Sequence, residues 1–262
     1  MNILDTIVAA KKAEVSSRKQ ARTVRQLEES AWFAQDRHSL CARLLAPLAS
    51  GIIAEFKRKS PSKGIINGKA QVVPTTAGYV RAGASALSVL TDESFFGGSD
   101  RDLTDARVNS CPILRKDFVI DEYQIIEARA LGADVVLLIA AILDPPTAKT
   151  LATLAHSLGL EVLLEVHNED EWARHESVGA DVVGVNNRNL KTFVVDIATS
   201  KELVAILPKE VLKVSESGID DVAVIRELRA HGYEGFLMGE YFMKHDFPEQ
   251  AAHRFITELG AP

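Results

Sequence analysis

The sequence predicts a single (β/α)8 barrel preceded by a helical extension, and three observations carry that reading. Eight short apolar runs recur after residue 50, spaced to leave room for a helix between consecutive runs. The intervening segments end at glycines, as helices that close in a left-handed turn do. A fragment of repeat, AGASAL (82–87), LGADVV (131–136) and VGADVV (178–183), joins a helix end to a strand start three times.

The elements follow in chain order. Ile3, Leu4, Ile7, Val8 and Val15 fall on one helical face, so the extension (1–50) reads as two helices, roughly 2–20 and 36–49, packed on the barrel (51–262). Asp5 interrupts that apolar stretch and Lys11 and Lys12 follow it, so a secretory signal is not expected. The strands are GIIAEF (51–56), ALSVL (86–90), PILRK (112–116), DVVLLIA (134–140), EVLLEV (161–166), DVVGVN (181–186), VLKVSE (211–216) and GFLMGE (235–240). Most are continuously apolar, as parallel strands covered on both faces are. Helix-ending glycines stand at Gly83, Gly132, Gly159, Gly179 and Gly232. Eight units favour closure over an open doubly wound sheet, and no GxGxxG follows the first strand. The 262 residues are read as one domain.

Composition narrows the function. A formal net charge of −6 argues against a nucleic-acid surface, so an anionic ligand needs a local cluster of Lys and Arg. No run reaches the roughly 20 apolar residues of a membrane span, and a cytoplasmic location is expected. Cys41 and Cys111 form no CxxC pair or disulfide framework. The seven histidines are scattered, so neither a metal nor a cofactor is expected.

Active sites of such barrels lie at the C-terminal ends of the strands. There the first strand ends Glu55-Phe56-Lys57, and alternation points Glu55 and Lys57 to one side. The third ends at Lys116, the fifth at Glu165, the sixth at Asn186 with Arg188 just beyond, and the seventh runs into Ser215-Glu216-Ser217-Gly218. One lysine or glutamate at a strand end is ordinarily solvated. Several converging on one rim must each offset desolvation through a partner or ligand. Two lysines and two glutamates in one cavity perturb each other's proton affinity, which suits general acid–base chemistry. Ser60-Pro61-Ser62-Lys63-Gly64 is a basic loop after the first strand, and Gly218 and Gly239 suit a phosphate site formed by backbone N–H groups. The residues alone therefore give an acid–base enzyme for a small phosphorylated substrate, without its reaction.

IIAEFKRKSPSKG (52–64), SVLTDESFFGGS (88–99) and PILRKDFVIDEYQI (112–125) resemble signatures of the indole-3-glycerol-phosphate synthases of tryptophan biosynthesis. LLEVHNEDE (163–171), GVNNRNL (184–190) and VSESGI (214–219) continue the match in order, and ILDTIVAAKKAEV (3–15) extends it to nearly the whole chain. The resemblance implies a carbon–carbon lyase that closes an indole ring with decarboxylation and dehydration. It implies Lys116 as general acid and Lys57 as holder of the substrate carboxylate. Glu165 and Glu55 would stabilise the cationic intermediate and take up protons, while Asn186 and Ser217 orient the sugar hydroxyls. Ser60, Phe95 (or Phe96), Phe118, Arg188, Gly218 and Gly239 would bind substrate. Other enzymes of the tryptophan pathway are the protein partners it admits.

One position departs from the pattern. Many relatives carry a small or hydroxyl residue after the last glycine, where this chain has Glu240. A carboxylate there would repel a phosphate, so its side chain is expected to turn away while its backbone N–H contributes. Phosphoribosylanthranilate isomerase and the tryptophan synthase α-subunit share the phosphate end but lack the first-strand ExK, the SPS loop and the N-terminal extension. A Schiff-base aldolase using Lys116 or Lys57 would be trapped by borohydride. A barrel that only binds a phosphometabolite would not need reactive side chains at all these positions.

Overall fold

The computed structural model describes residues 3–190 and 192–260. Among them, eight parallel strands close a barrel: β1 (Ile52–Phe56), β2 (Ala86–Leu90), β3 (Ile113–Lys116), β4 (Val135–Ile139), β5 (Glu161–Val166), β6 (Val182–Asn186), β7 (Leu212–Glu216) and β8 (Gly235–Met238). Each pairs with its chain neighbours, and β8 returns to β1 with Ile53 opposite Leu237. All eight lie within the expected runs, and all five helix-ending glycines have positive φ.

Alternation sorts each strand into two shells. Ile53, Leu114, Leu137, Leu163, Val182, Val214 and Leu237 fill the barrel interior. Ile52, Leu87, Val136, Leu164, Val183 and Phe236 point outward and pack beneath the helices. Continuing the inward register towards the C-terminal ends leads to Glu55, Lys116, Glu165, Asn186 and Glu216 in turn.

The extension differs from its expectation. It holds three helices among the described residues: α1 (Ile3–Ala21), α2 (Val24–Glu28) and α3 (Leu40–Leu44). Residue 2, the expected start of the first, lies outside the described residues. The short α2 begins at a reciprocal Thr23/Gln26 cap, a T-x-x-Q signal legible in the sequence. The expected helix over 36–49 contracts to α3, because His38 N–H bonds to the Asp134 side chain, Ser39 caps the helix, and Leu48 turns left-handed after Pro47. Ile3, Leu4 and Ile7 of α1 lie over the open end of the barrel. No helix among the described residues is long and apolar enough to cross a membrane.

Candidate active site

A cavity of about 560 Å³ opens at the C-terminal ends of the strands. Glu55, Lys57, Ser60, Lys116, Phe118, Glu165, Asn186, Arg188, Ser217, Gly218 and Gly239 all line it. Its apolar wall combines Phe96 and Phe118, whose ring centroids are 5.8 Å apart, with Ile3, Leu4 and Ile7 of α1.

The centre is Lys116. Its Nζ stands 2.7 Å from Glu165 Oε2 and 2.9 Å from Glu216 Oε2. Burial works against the ammonium charge, but the two carboxylates outweigh it and hold its proton affinity well above the ordinary lysine range. The glutamates diverge. Burial alone would raise Glu165, yet the charges of Lys116 and His167 and a hydrogen bond from Asn186 hold its carboxyl low. Among the described residues no second cation pairs directly with Glu216. Burial and the negative charge of Glu165 push it up to about 7, and its Oε1 has no hydrogen-bond partner among the described residues.

Across the cavity Lys57 Nζ contacts Glu55 Oε1 at 2.5 Å, so the shared face expected from alternation is realised. Two glycines make room for the carboxylates. A Cβ on Gly184 would stand 2.3 Å from Glu216 Oε1, and one on Gly239 2.4 Å from Glu55 Oε1. Ser60 orders its own loop, accepting from Lys63 N–H at 3.3 Å within a hairpin of Lys59–Ser60 and Gly64–Ile65. Beyond β7, Ser217 and Gly218 take successive left-handed conformations with φ of 68° and 76°, bending the backbone around the cavity edge.

Independent comparisons bear on this arrangement. A family model described as indole-3-glycerol phosphate synthase matches residues 4–255. The chain belongs to the indole-3-glycerol phosphate synthase family. A relative of that name from Bacteroides thetaiotaomicron is 49% identical over 98% of this chain and 99% of its own length. Another from Chromobacterium violaceum is 44% identical over 97% of this chain and 98% of its own. Among solved structures, 3-hexulose-6-phosphate synthase from Salmonella typhimurium superposes with a TM-score of 0.63 at 13% identity, covering 80% of this chain and 98% of that one. That likeness concerns the fold alone.

Membership of the synthase family leaves three findings that belong to this chain's own geometry. Glu216 was not among the assigned residues, although it shares the inward register of Val214 and lies beside Ser217; the same alternation that pairs Glu55 with Lys57 identifies it. Phe95 does not line the cavity, whereas Phe96 does. Consecutive residues of the one-turn helix α4 (Glu93–Phe96) point about 100° apart, so both rings pack against the inner apolar cluster but only that of Phe96 lines the cavity. Glu240 does not turn away. Its carboxylate lines the cavity rim, 3.3 Å from Arg188 Nη2 and 3.4 Å from Lys63 Nζ, because those two cations neutralise it there.

Proposed function

We propose that this cavity closes an indole ring, converting 1-(2-carboxyphenylamino)-1-deoxyribulose 5-phosphate to indole-3-glycerol phosphate, carbon dioxide and water. The observation that carries the reading is an ammonium between two carboxylates of divergent proton affinity, beside an apolar slot. The aryl group lies between Phe96, Phe118 and the apolar face of α1, with its carboxylate on Lys57. The ring carbon bearing that carboxylate attacks the ribulose carbonyl carbon. Lys116 protonates the carbonyl oxygen, which becomes a hydroxyl. Carbon dioxide then leaves, returning its electron pair to the ring. The hydroxyl departs as water with a second proton, and the nitrogen lone pair forms an iminium ion. Glu165 and Glu55 stabilise that cation, and transfer of a proton from the adjacent carbon to one of these carboxylates completes the indole.

The Glu216 carboxyl suits the second proton. Lys116 has already given its proton to the carbonyl oxygen, whereas a carboxyl pushed up to about 7 still exchanges its proton near neutrality. Asn186 and Ser217 orient the sugar hydroxyls. The substrate phosphate lies between the backbone N–H groups near Gly218 and Gly239, with Arg188 and Lys63 released from Glu240 to meet it. The enzyme works in the cytoplasm on this small substrate. Incubation with the carboxyphenylamino substrate should produce indole absorbance and fluorescence; a folded enzyme that produces neither refutes the proposal.

A further inference from the structure

Glu165 and His167 alternate across Val166 at the end of β5, and both side chains are withdrawn from solvent, at 5% and 10% exposure. The His167 backbone N–H and ring Nδ1 both reach Glu171 Oε2, at 2.8 and 3.0 Å. Glu171 is fixed in turn near the start of α5 (Glu169–His175), where its Oε1 accepts from Asn168 Nδ2 at 3.0 Å. The other ring nitrogen, Nε2, stands 3.4 Å from Glu165 Oε1 and has no aligned hydrogen-bond partner among the described residues. Glu171, His167, Glu165, Lys116 and Glu216 thus form one line of alternating charge from helix to cavity.

Both ring nitrogens of His167 face carboxylate oxygens. A neutral imidazole donates from only one nitrogen and would aim a lone pair at the other carboxylate; an imidazolium donates from both. The groups that bear on it are Glu165 from β5, Glu171 from α5 and Glu216 from β7, all acidic. Without a charge at His167, Glu165 and Glu216 would bracket Lys116 at similar distances, 2.7 and 2.9 Å, distinguished by the Asn186 hydrogen bond to Glu165 and the negative charge of Glu55 acting on Glu216. With it, Glu165 lies between two cations and Glu216 beside one.

We infer that His167 is a positioning residue that gives the two glutamates unlike roles, keeping Glu165 a carboxylate so that Glu216 carries the proton. The inference rests on the reading of these glutamates as the acid–base pair. Burial opposes charge on the ring, but the hydrogen bond to Glu171 and the charges of Glu165 and Glu171 overcome it and raise the proton affinity of His167. Above that raised affinity the ring becomes neutral and the distinction between the glutamates weakens.

The test combines ring NMR with pH profiles. The His167 resonance, assigned by its loss in His167→Gln, should remain that of an imidazolium at neutral pH, and Glu171→Gln should lower its titration midpoint. Removing the cation makes the glutamate pair hold its proton more tightly. In His167→Gln the kcat limb belonging to that pair should therefore move to higher pH. At neutral pH kcat should fall roughly tenfold, with KM changed by about twofold at most. His167→Lys, which retains a cation, should recover part of kcat. A ring that serves only packing would leave the limb in place. A neutral His167 ring at about pH 6, or an unmoved limb in a folded His167→Gln enzyme, overturns the inference. Should that variant fail to fold, Glu171→Gln supplies the same readout through the ring it holds. Absence of ring closure in the unsubstituted enzyme would refute the functional proposal instead, and the ring titration would still read the charge on His167.

Discussion

Arg115 and Lys116 are adjacent on β3, and alternation sends them to opposite sides of the barrel wall. Arg115 points outward beneath the helices and is 1% exposed. Its Nε donates to Thr91 Oγ1, its Nη1 to the Gln124 carbonyl, and its Nη2 to Asp117 and Glu127 at 3.2 and 2.7 Å. Lys11 of α1 closes the same cluster, 2.9 Å from both Asp92 and Asp117. There the opposite charges outweigh burial: Arg115 and Lys11 hold Asp117 down at about 2. Lys116, one residue later, faces two carboxylates across a cavity, and one of them, Glu216, is driven towards neutrality. A buried charge cluster with every charge matched holds elements together. One that leaves a carboxyl ready to change its protonation state is equipped for chemistry.

The sharpest way to break this contrast is to remove each base. Lys116→Ala should lower kcat by roughly 10²–10⁴ in the folded enzyme, with a smaller change in KM. Arg115→Met strands Asp117 and Glu127 without their cation and should cost about 3–5 kcal/mol of stability, activity falling with the folded fraction. Steady-state kinetics beside urea unfolding separates the two. Half of the normal kcat in Lys116→Ala would remove that residue from the chemistry, and an undiminished urea midpoint in Arg115→Met would deny the outer cluster its structural role.

The clusters should also answer pH in opposite senses. The Asp117 carboxyl is lower in the folded protein than its ordinary 3.8, so its contribution, roughly 2 kcal/mol, is present above that value and fades as pH falls towards 2. Glu216 is raised from 4.5 to about 7, so folding favours its protonated form and the associated stability is lost as pH rises through that interval. Glu216→Gln should abolish the neutral-side slope and its limb of the kcat profile and lower kcat by roughly 10²; Asp117→Asn should remove only the acid-side slope. Unfolding midpoints between about pH 3 and 8 decide the matter, and a Glu216→Gln enzyme with an unchanged slope and limb would erase the distinction.

Smaller effects refine the description of the inner site. Lys57→Arg keeps the charge that meets a substrate carboxylate but replaces a compact ammonium by a planar fork. KM should rise a few-fold at most while kcat falls by roughly tenfold; an alanine variant with both parameters unchanged would exclude Lys57 from the site. Least of all, Glu240→Ser releases Arg188 and Lys63 from their ion pairs and should lower KM by about two- to fivefold with kcat preserved, since such rim pairs are individually weak. A raised KM would mean that Glu240 orients those cations and does not compete with the phosphate.

The sequence by itself determined the barrel and most of the side chains that line its cavity. Eight β-branched runs, glycines after the intervening helices and strict alternation at Glu55 and Lys57 follow from local backbone geometry, which acts within a few residues. The ExK…SPS, LRKDF and NNRNL segments were legible through their resemblance to the synthase family's signatures. What lay beyond it was set between strands. Glu216 acquires its character because Gly184 leaves space for its carboxylate and because Lys116 and Glu165 arrive from β3 and β5. Whether Phe95 or Phe96 faces the cavity depends on where one helical turn is anchored by Asp92. Glu240 stays at the rim because Arg188 and Lys63, distant in sequence, meet it there. Nor does the Arg115-Lys116 dipeptide alone say which base is structural and which reactive. Partners brought by other elements decide it, because a buried charge takes its proton affinity from its neighbours in space.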